Sequence, residues 1–303
     1  MTHPKAIEST TRVAAITMTS AMAEPEVNLD RIAMWAERVQ KEGATFAVFP
    51  EECITGSLNK SKRTFEEASK IVRHAAEISI PRLEQMCKRL NMTVVVGTIA
   101  PAGDRFSNRV LVVGPEGFLG SYAKVHLPNA TEREWFVAGD RVLVVKSQGW
   151  AFSVGICADL NYPEIFRAAA RGGAEFILLA VGCSGDGSQQ GAVASMREYS
   201  GLMRVCAVAN GLYIFYADQS GPDRASLAFS MNLRGDVVDS CCGREGFIAT
   251  DISRAAIAAA RSGGDPTNLW DIRPEVYANT VVLDKGPGGG PTIETTRRGT
   301  SAH

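Results

Sequence analysis

One stretch of the chain, residues 150–167 (WAFSVGICADLNYPEIFR), constrains the fold more than any other. Residues 151–156 are apolar and include Phe, Val and Ile, which is typical of a short buried strand. Pro163 and Glu164 then open a helical pattern, because proline fits the first turn of a helix and an acid there suits its dipole. Cys157 lies between the two elements, at the carboxyl end of the strand. In open α/β sheets this is the edge at which ligands collect.

The rest of the chain alternates short apolar runs with segments of helical periodicity. The runs that predict strands are 12–18, 45–49, 92–99, 106–113, 117–126, 142–145, 176–180, 213–217, 227–231 and 247–250. The periodic segments predict helices over 27–42, 62–78, 80–90, 163–171, 191–210 and 253–261, with a break near Pro81 and Ser253 as an N-cap. No fixed repeat occurs, so this alternation indicates α/β or α+β layers in which helices cover strands.

A chain of 303 residues can bury a substantial core, as one large α/β domain or two small ones. Residues 1–10 are expected to be disordered. Residues 284–303 (DKGPGGGPTIETTRRGTSAH) are too polar and glycine-rich to bury a core, so we expect a tail that is flexible or ordered by a partner.

The composition argues against several classes of partner. The 32 basic and 33 acidic residues form no basic stripe, so neither nucleic acid nor a membrane surface is expected as a partner. No apolar run approaches the ~20 residues of a membrane span, and the polar N-terminus lacks the apolar core of a signal peptide. The seven cysteines are odd in number and contain no CxxC pair, which is typical of reduced thiols. We therefore expect a cytoplasmic protein.

Three residues with complementary chemistry lie at the ends of predicted apolar strands: Glu51, Lys124 and Cys157. A cysteine nucleophile needs a base and a group that stabilises the oxyanion, and a carboxylate and an ammonium could supply these. Each residue also has a plain alternative interpretation. Cys157 could be a small buried hydrophobe, Glu51 a solvated loop residue and Lys124 an edge-strand lysine.

A histidine is the other possible base. Of the four histidines, His3 and His303 lie near the ends of the chain and His74 lies in a charged helix. His126 is the only reasonable candidate for a Cys/His pair, although its apolar neighbours fit a plain strand end. No phosphate-binding glycine motif follows a predicted strand, so a nucleotide cofactor is not supported.

The segments FPEECITG, YAKVHLP and GICADLNYPEIFR, in this order, resemble the motif regions of the nitrilase superfamily of carbon–nitrogen hydrolases, and the resemblance covers roughly residues 11–280. It implies an α/β (α+β) fold, a four-layer α-β-β-α sandwich forming a single domain over residues 11–283, and assembly as a homodimer or larger homo-oligomer. It also implies that Glu51 is the general base, Lys124 the oxyanion-stabilising lysine and Cys157 the nucleophile. The family has a second glutamate shortly after the lysine, which spacing matches to Glu132 over Glu134.

The residues after Cys157 refine this resemblance. Ala158-Asp159 follows the nucleophile, as in the amidase and carbamoylase branches, where nitrilases often carry Trp-Glu. The arginine pair that binds a substrate carboxylate in one carbamoylase branch is replaced by Leu160 and Asn161. The resemblance thus implies a small, uncharged amide or carbamoyl substrate, cleaved through a thioester without a metal or cofactor. The residues that we predict near the oxyanion or substrate are Ala158, Trp135, Asn161 and Tyr162, with core packing as the alternative for Trp135 and Tyr162.

Two alternatives to an amidase remain at this point. A nitrilase would use the same Glu51, Lys124 and Cys157 on a nitrile. A catalytically silent member of the fold would be expected to lack one of these three residues, and the sequence contains all of them.

Overall fold

The computed structural model describes residues 9–262 and two further strand segments near the C-terminus. The strands are β1 (Thr10–Thr17), β2 (Phe46–Val48), β3 (Thr93–Ala102), β4 (Arg105–Gly114), β5 (Gly117–Ala123), β6 (Val144–Ser147), β7 (Trp150–Ile156), β8 (Phe176–Val181), β9 (Tyr213–Asp218), β10 (Leu227–Met231), β11 (Val237–Cys242), β12 (Gly246–Ser253), β13 (Val281–Lys285) and β14 (Pro291–Thr295). The helices are α1 (Pro25–Lys41), α2 (Phe65–Leu90), α3 (Ala130–Trp135), α4 (Pro163–Arg171), α5 (Gln189–Asn210) and α6 (Arg254–Arg261).

Strands β1 to β12 form two six-stranded sheets with the same internal plan. The first sheet has the order β12-β1-β2-β3-β4-β5 and the second has the order β11-β10-β9-β8-β7-β6. In each sheet three central strands run parallel, β1-β2-β3 in the first and β7-β8-β9 in the second. Antiparallel strands flank them on both sides. The parallel strands deliver their carboxyl ends to one edge, which is where ligand sites form in such sheets.

The sheets pack face to face and a helical layer covers each outer face. Phe46 of the first sheet packs edge-on against Phe152 and Phe176 of the second, with ring centroids 5.6 and 5.4 Å apart. Buried side chains of α1 and α2 cover the first sheet, and those of α4 and α5 cover the second. The predicted four-layer α-β-β-α sandwich is therefore confirmed.

The prediction of two helices separated at Pro81 is wrong, because α2 is one continuous helix. It begins with a capping box in which Thr64 and Glu67 bond each other's backbone N–H groups. Proline inside a helix removes a hydrogen bond to the carbonyl four residues earlier, here Glu77. Both Pro81 and Glu77 are exposed, so water can satisfy that carbonyl while the opposite face of α2 stays buried on the sheet.

Smaller differences also affect the site region. β5 ends at Ala123, short of the predicted 117–126, which leaves Lys124 just beyond the strand. The one-turn helix α3 follows, with Asn129 as its N-cap, and it is too short to show periodicity in sequence. β11 also escaped prediction, since half of its residues are exposed and it lacks an apolar run.

The terminal predictions fall largely outside the described residues. β13 and β14 pair as antiparallel strands, with Val281 opposite Thr295 and Lys285 opposite Pro291. The predictions of a disordered segment over residues 1–10 and of a flexible or partner-ordered tail over residues 284–303 stay predictions. Within the described part of the chain, no helix combines the length and apolarity that crossing a membrane requires.

Candidate active site

Three strands bring Glu51, Lys124 and Cys157 to one edge of the sandwich. Glu51 follows β2, Lys124 directly follows β5 and Cys157 directly follows β7. The Nζ atom of Lys124 lies 2.8 Å from Oε1 of Glu51, and both side chains are buried. Glu51 and Lys124, which lie at the ends of different strands, are therefore in direct contact.

The carboxylate of Glu51 is held by several neighbours. The side-chain amide of Asn108 donates to Oε1 of Glu51 at 2.8 Å. The backbone of Glu51 donates to the carbonyl of Val181 at 3.1 Å and accepts from the side chain of Gln219 at 2.6 Å. Burial alone would raise the pKa of Glu51, but the Lys124 ammonium and the Asn108 amide hold that pKa below its ordinary value. Glu51 is thus a rigidly placed carboxylate.

A second glutamate, Glu132, also contacts Lys124. Oε2 of Glu132 lies 2.8 Å from Nζ of Lys124, and Glu132 is 8% exposed on α3, whereas Glu134 is exposed. The side chain of Asn129 accepts from the backbone N–H of Glu132 at 2.9 Å, which orients the first turn of this helix. Burial alone would lower the pKa of Lys124, but the surrounding charges, led by Glu51, raise that pKa above its ordinary value. Lys124 is therefore an ammonium.

Cys157 occupies a tight turn at the end of β7. Its backbone φ is +42°, in the left-handed region that residues other than glycine adopt at a cost of about 1–3 kcal/mol. Cys157 begins a single 3-10 turn that runs to Asn161, and α4 starts two residues further on. This turn places the thiol at the edge where Glu51 and Lys124 lie, close enough for their charges to act on its pKa. A hydrogen bond with Cys183, burial and the Glu51 charge raise the pKa of Cys157.

Hydrogen bonds to Asp159 stabilise this turn. Its fully buried carboxylate accepts from the backbone N–H of Ile156 at 3.1 Å and from the hydroxyl of Tyr122 at 2.7 Å. It also contacts the backbone N–H of His126 at 3.0 Å and Nδ1 of that ring at 2.8 Å. Asp159 therefore ties the segment after Lys124 to the turn that carries Cys157.

His126, the alternative base, has a ring nitrogen engaged with Asp159. Its ring also stacks on Tyr162, with centroids 3.4 Å apart and an interplanar angle of 8°. Through these contacts His126 supports the turn that carries Cys157.

The predicted substrate contacts fall into two groups. Ala158 is buried next to Cys157, while Asn161 and Tyr162 are exposed at the end of the turn. Trp135 packs against Phe65 and Phe106, with ring centroids 5.9 and 5.8 Å away, so the packing alternative accounts for its position. Contact of any of these residues with substrate stays a prediction.

Sequence reasoning missed the residues that line the end of β8. A Cβ atom on Gly182 would lie 2.9 Å from Oε2 of Glu51, so a side chain there would displace the carboxylate. Sγ of Cys183 lies 4.0 Å from Sγ of Cys157, and the backbone N–H of Cys183 donates to Asp218 at 3.0 Å. The rule that parallel strands end at one edge could have found these residues, because β8 lies next to β7.

Sequence reasoning also missed Glu52, which is buried beside Glu51 with a backbone φ of +53°. Burial and the negative charge of Glu51 raise the pKa of Glu52 to about 7. Across residues 9–262, no group of three or more His, Cys, Asp or Glu side chains is arranged to hold a metal ion.

Comparison with known proteins shows the family to which the chain belongs. The sequence profile of the family described as Carbon-nitrogen hydrolase matches residues 12–262. The chain belongs to the carbon–nitrogen hydrolase family. It is 30% identical to a nitrilase from Pyrococcus abyssi over 215 residues, which cover 70% of this chain and 76% of that protein. It is 27% identical to an N-carbamoylputrescine amidase from Oryza sativa over 294 residues, which cover 90% and 95% of the two chains.

Solved structures of family members share the fold. An amidase from Nesterenkonia sp. superposes with a TM-score of 0.73 at 23% identity, over 88% of this chain and 95% of that chain. A double mutant of that amidase in complex with acrylamide gives a TM-score of 0.74 at 22% identity, over 91% and 98% of the two chains.

Proposed function

We propose that this carbon–nitrogen hydrolase is a cysteine-dependent amidase that cleaves a small, uncharged amide or carbamoyl compound. The observation that carries the proposal is the buried ammonium of Lys124, bonded at 2.8 Å to both Glu51 and Glu132 at the edge where Cys157 lies. An ammonium has three N–H donors. Two of these point to the carboxylates, which leaves one for an oxyanion.

In the proposed first step, Glu51 accepts the thiol proton of Cys157 as the sulfur attacks the carbonyl carbon. The remaining N–H of Lys124 and the backbone N–H of Ala158 stabilise the tetrahedral oxyanion. The protonated Glu51 then donates to the leaving ammonia or amine, and a thioester with Cys157 remains.

In the second step, the Glu51 carboxylate takes a proton from water, which attacks the thioester carbon. Collapse of the second tetrahedral intermediate releases the carboxylic acid, and the proton returns to the sulfur. Each step uses the same base and the same oxyanion donors, which is consistent with a rigid, buried Glu51–Lys124 pair.

The residues beside Cys157 support an amide over a nitrile. Ala158 is small and apolar, and Asp159 is shorter than the glutamate that nitrilases often carry at this position. The absence of an arginine pair at Leu160 and Asn161 supports a substrate without a carboxylate next to the scissile bond, since an unpaired buried anion is costly. The similarity to a nitrilase makes the nitrile the competing substrate class.

A matched pair of substrates tests the bond that is cleaved. One side chain R is presented as R–CONH2 and as R–CN, and kcat/KM is measured from ammonia release. We expect the amide to react at least about tenfold faster, a difference of ~1.4 kcal/mol in barrier. A preference for the nitrile across several R groups would overturn the amidase assignment.

A second experiment tests the nucleophile. The Cys157→Ala variant should lose turnover while its circular dichroism spectrum stays unchanged, and Cys242→Ala, which changes a thiol on β11, should keep it. Acid quenching of the wild-type enzyme with substrate should add the acyl mass to the peptide that contains Cys157. A fully active Cys157→Ala enzyme would refute covalent catalysis by this residue.

A further inference from the structure

A second thiol faces the proposed nucleophile, and the mechanism proposed above does not use it. Cys183 directly follows Gly182 at the end of β8, and its Sγ lies 4.0 Å from Sγ of Cys157. Both residues are partly exposed, whereas Cys53, Cys87 and Cys206 are buried. A small molecule that reaches the nucleophile therefore also reaches Cys183.

The backbones that carry the two thiols are held separately. The N–H of Cys183 donates to the buried carboxylate of Asp218, which also accepts from the hydroxyl of Tyr216 at 2.8 Å. The turn at Cys157 is held through Asp159. A disulfide requires an S–S distance of about 2.05 Å, so the sulfurs must approach by about 2 Å. Rotation of cysteine side chains between staggered rotamers covers a distance of this size.

Cys183 also differs from the buried cysteines in reactivity. The hydrogen bond with Cys157 lowers the pKa of Cys183 to about 7, against the opposing effect of burial. Burial raises the pKa of Cys53 and of Cys87 to about 12. Oxidants attack thiolates in preference to thiols, so oxidation should begin at Cys183, within reach of Cys157.

We propose that Cys157 and Cys183 form a reversible disulfide when the protein meets a peroxide, and that this bond protects the nucleophile from irreversible oxidation. In the first step a thiolate attacks hydrogen peroxide: an S–O bond forms, the O–O bond breaks, and hydroxide leaves. In the second step the other thiolate attacks the sulfenic sulfur: the S–S bond forms and a second hydroxide leaves. Two thiols are oxidised and one peroxide is reduced to two waters, whichever sulfur reacts first. The protective role rests on the proposed function, whereas the bond itself does not.

The adjacent Cys241 and Cys242 supply an internal control. They are neighbours on β11, where successive side chains point to opposite faces of the sheet. Their thiols are therefore directed apart, and closing a bond between them would distort the strand. The proposal predicts that loss of Cys242 leaves the response to peroxide unchanged.

The experiment compares the wild-type enzyme with Cys183→Ser and Cys242→Ser, each treated with excess hydrogen peroxide and then with dithiothreitol. Activity is expressed relative to each untreated enzyme, so a lower basal rate in Cys183→Ser does not affect the comparison. We expect the wild-type enzyme to lose activity with a mass decrease of about 2 Da and to recover most of it on reduction. The Cys242→Ser enzyme should lose and recover activity as the wild-type enzyme does.

In the Cys183→Ser enzyme, the peptide that contains Cys157 should instead gain ~32 Da, the two oxygens of a sulfinic acid. Dithiothreitol should not restore the activity of this variant. Non-reducing peptide mapping of oxidised wild type should yield the peptides of Cys157 and Cys183 as one cross-linked species. This readout needs neither the variant nor a substrate. A map without this species, or a Cys183→Ser enzyme that recovers as fully as wild type, would overturn the proposal.

Discussion

The sharpest structural prediction concerns Asp159→Asn, which changes one atom in the support of the nucleophile turn. The carboxylate of Asp159 accepts from Ile156 and Tyr122 on one oxygen and contacts His126 through the other. An asparagine can accept on one side only, because its other terminal group is an NH2 donor. If its oxygen faces His126, the NH2 group faces the backbone N–H of Ile156.

The magnitude follows from these contacts. The hydroxyl of Tyr122 can rotate to accept from the new NH2 group, but the buried N–H of Ile156 is left facing a donor. An unsatisfied buried donor costs about 1–3 kcal/mol, and loss of the carboxylate weakens the remaining bonds by a similar amount. A combined loss of about 3 kcal/mol in the free energy of unfolding corresponds to a fall in Tm of roughly 5 °C for a domain of this size.

The assay is thermal unfolding by circular dichroism, with kcat measured on the same samples. We expect kcat to fall by about 10- to 100-fold as well, because Ile156 directly precedes Cys157 and a displaced nucleophile reacts slowly. Asp251→Asn is the matched control. Asp251 is paired with Arg12 at the surface with 58% of its side chain exposed, and such pairs are worth under about 1 kcal/mol. A Tm for Asp159→Asn equal to that of the control would refute this account of the turn.

Three further predictions concern the charges and the assembly. Glu132→Gln should lower kcat roughly 10- to 100-fold by removing a charged contact of Lys124, whereas Glu134→Gln, at an exposed position, should not; equal effects of the two would contradict the assignment. The pKa of Glu52 in the native state is about 7, above the ordinary value that it has in the unfolded chain. Between these two pKa values the native state therefore holds a proton that the unfolded chain has lost. Stability from Glu52 should therefore be complete below about pH 4 and be lost as the pH rises through 7, and Glu52→Gln should flatten Tm over that window. Sedimentation at micromolar concentration should show a homodimer or larger, and a monomer would count against the proposed assembly.

The positions of Glu51, Lys124 and Cys157 at strand ends could be predicted because short apolar runs are the strongest signal of buried strands. Glu51 and Cys157 follow such runs, Lys124 lies near the end of one, and β2, β5 and β7 all form within the predicted runs. The four-layer arrangement came from the resemblance to a family. Periodicity alone indicated layers of helices and strands without their number.

The features that escaped prediction depend on tertiary contacts. Nothing in the local sequence shows that Pro81 faces solvent on a helix whose other face is buried, and this placement keeps α2 continuous. The proximity of Cys183 to Cys157 depends on the pairing of β8 with β7, which no single stretch of sequence specifies. The contact between Asp159 and His126 likewise joins segments that meet only in the folded chain.

The charges around Cys157 determine how its thiol can be activated. Lys124 is already shared by two carboxylates, so a thiolate formed by simple loss of a proton to solvent would add a negative charge beside Glu51. Consistent with this, the pKa of Cys157 is raised by its contact with Cys183, by burial and by that carboxylate. Transfer of the proton from Cys157 to Glu51 moves the negative charge without adding one, and the Lys124 ammonium remains beside both ends of the transfer. In the proposed mechanism, activation of Cys157 is therefore coupled to protonation of Glu51, and that proton is the one that the leaving group needs.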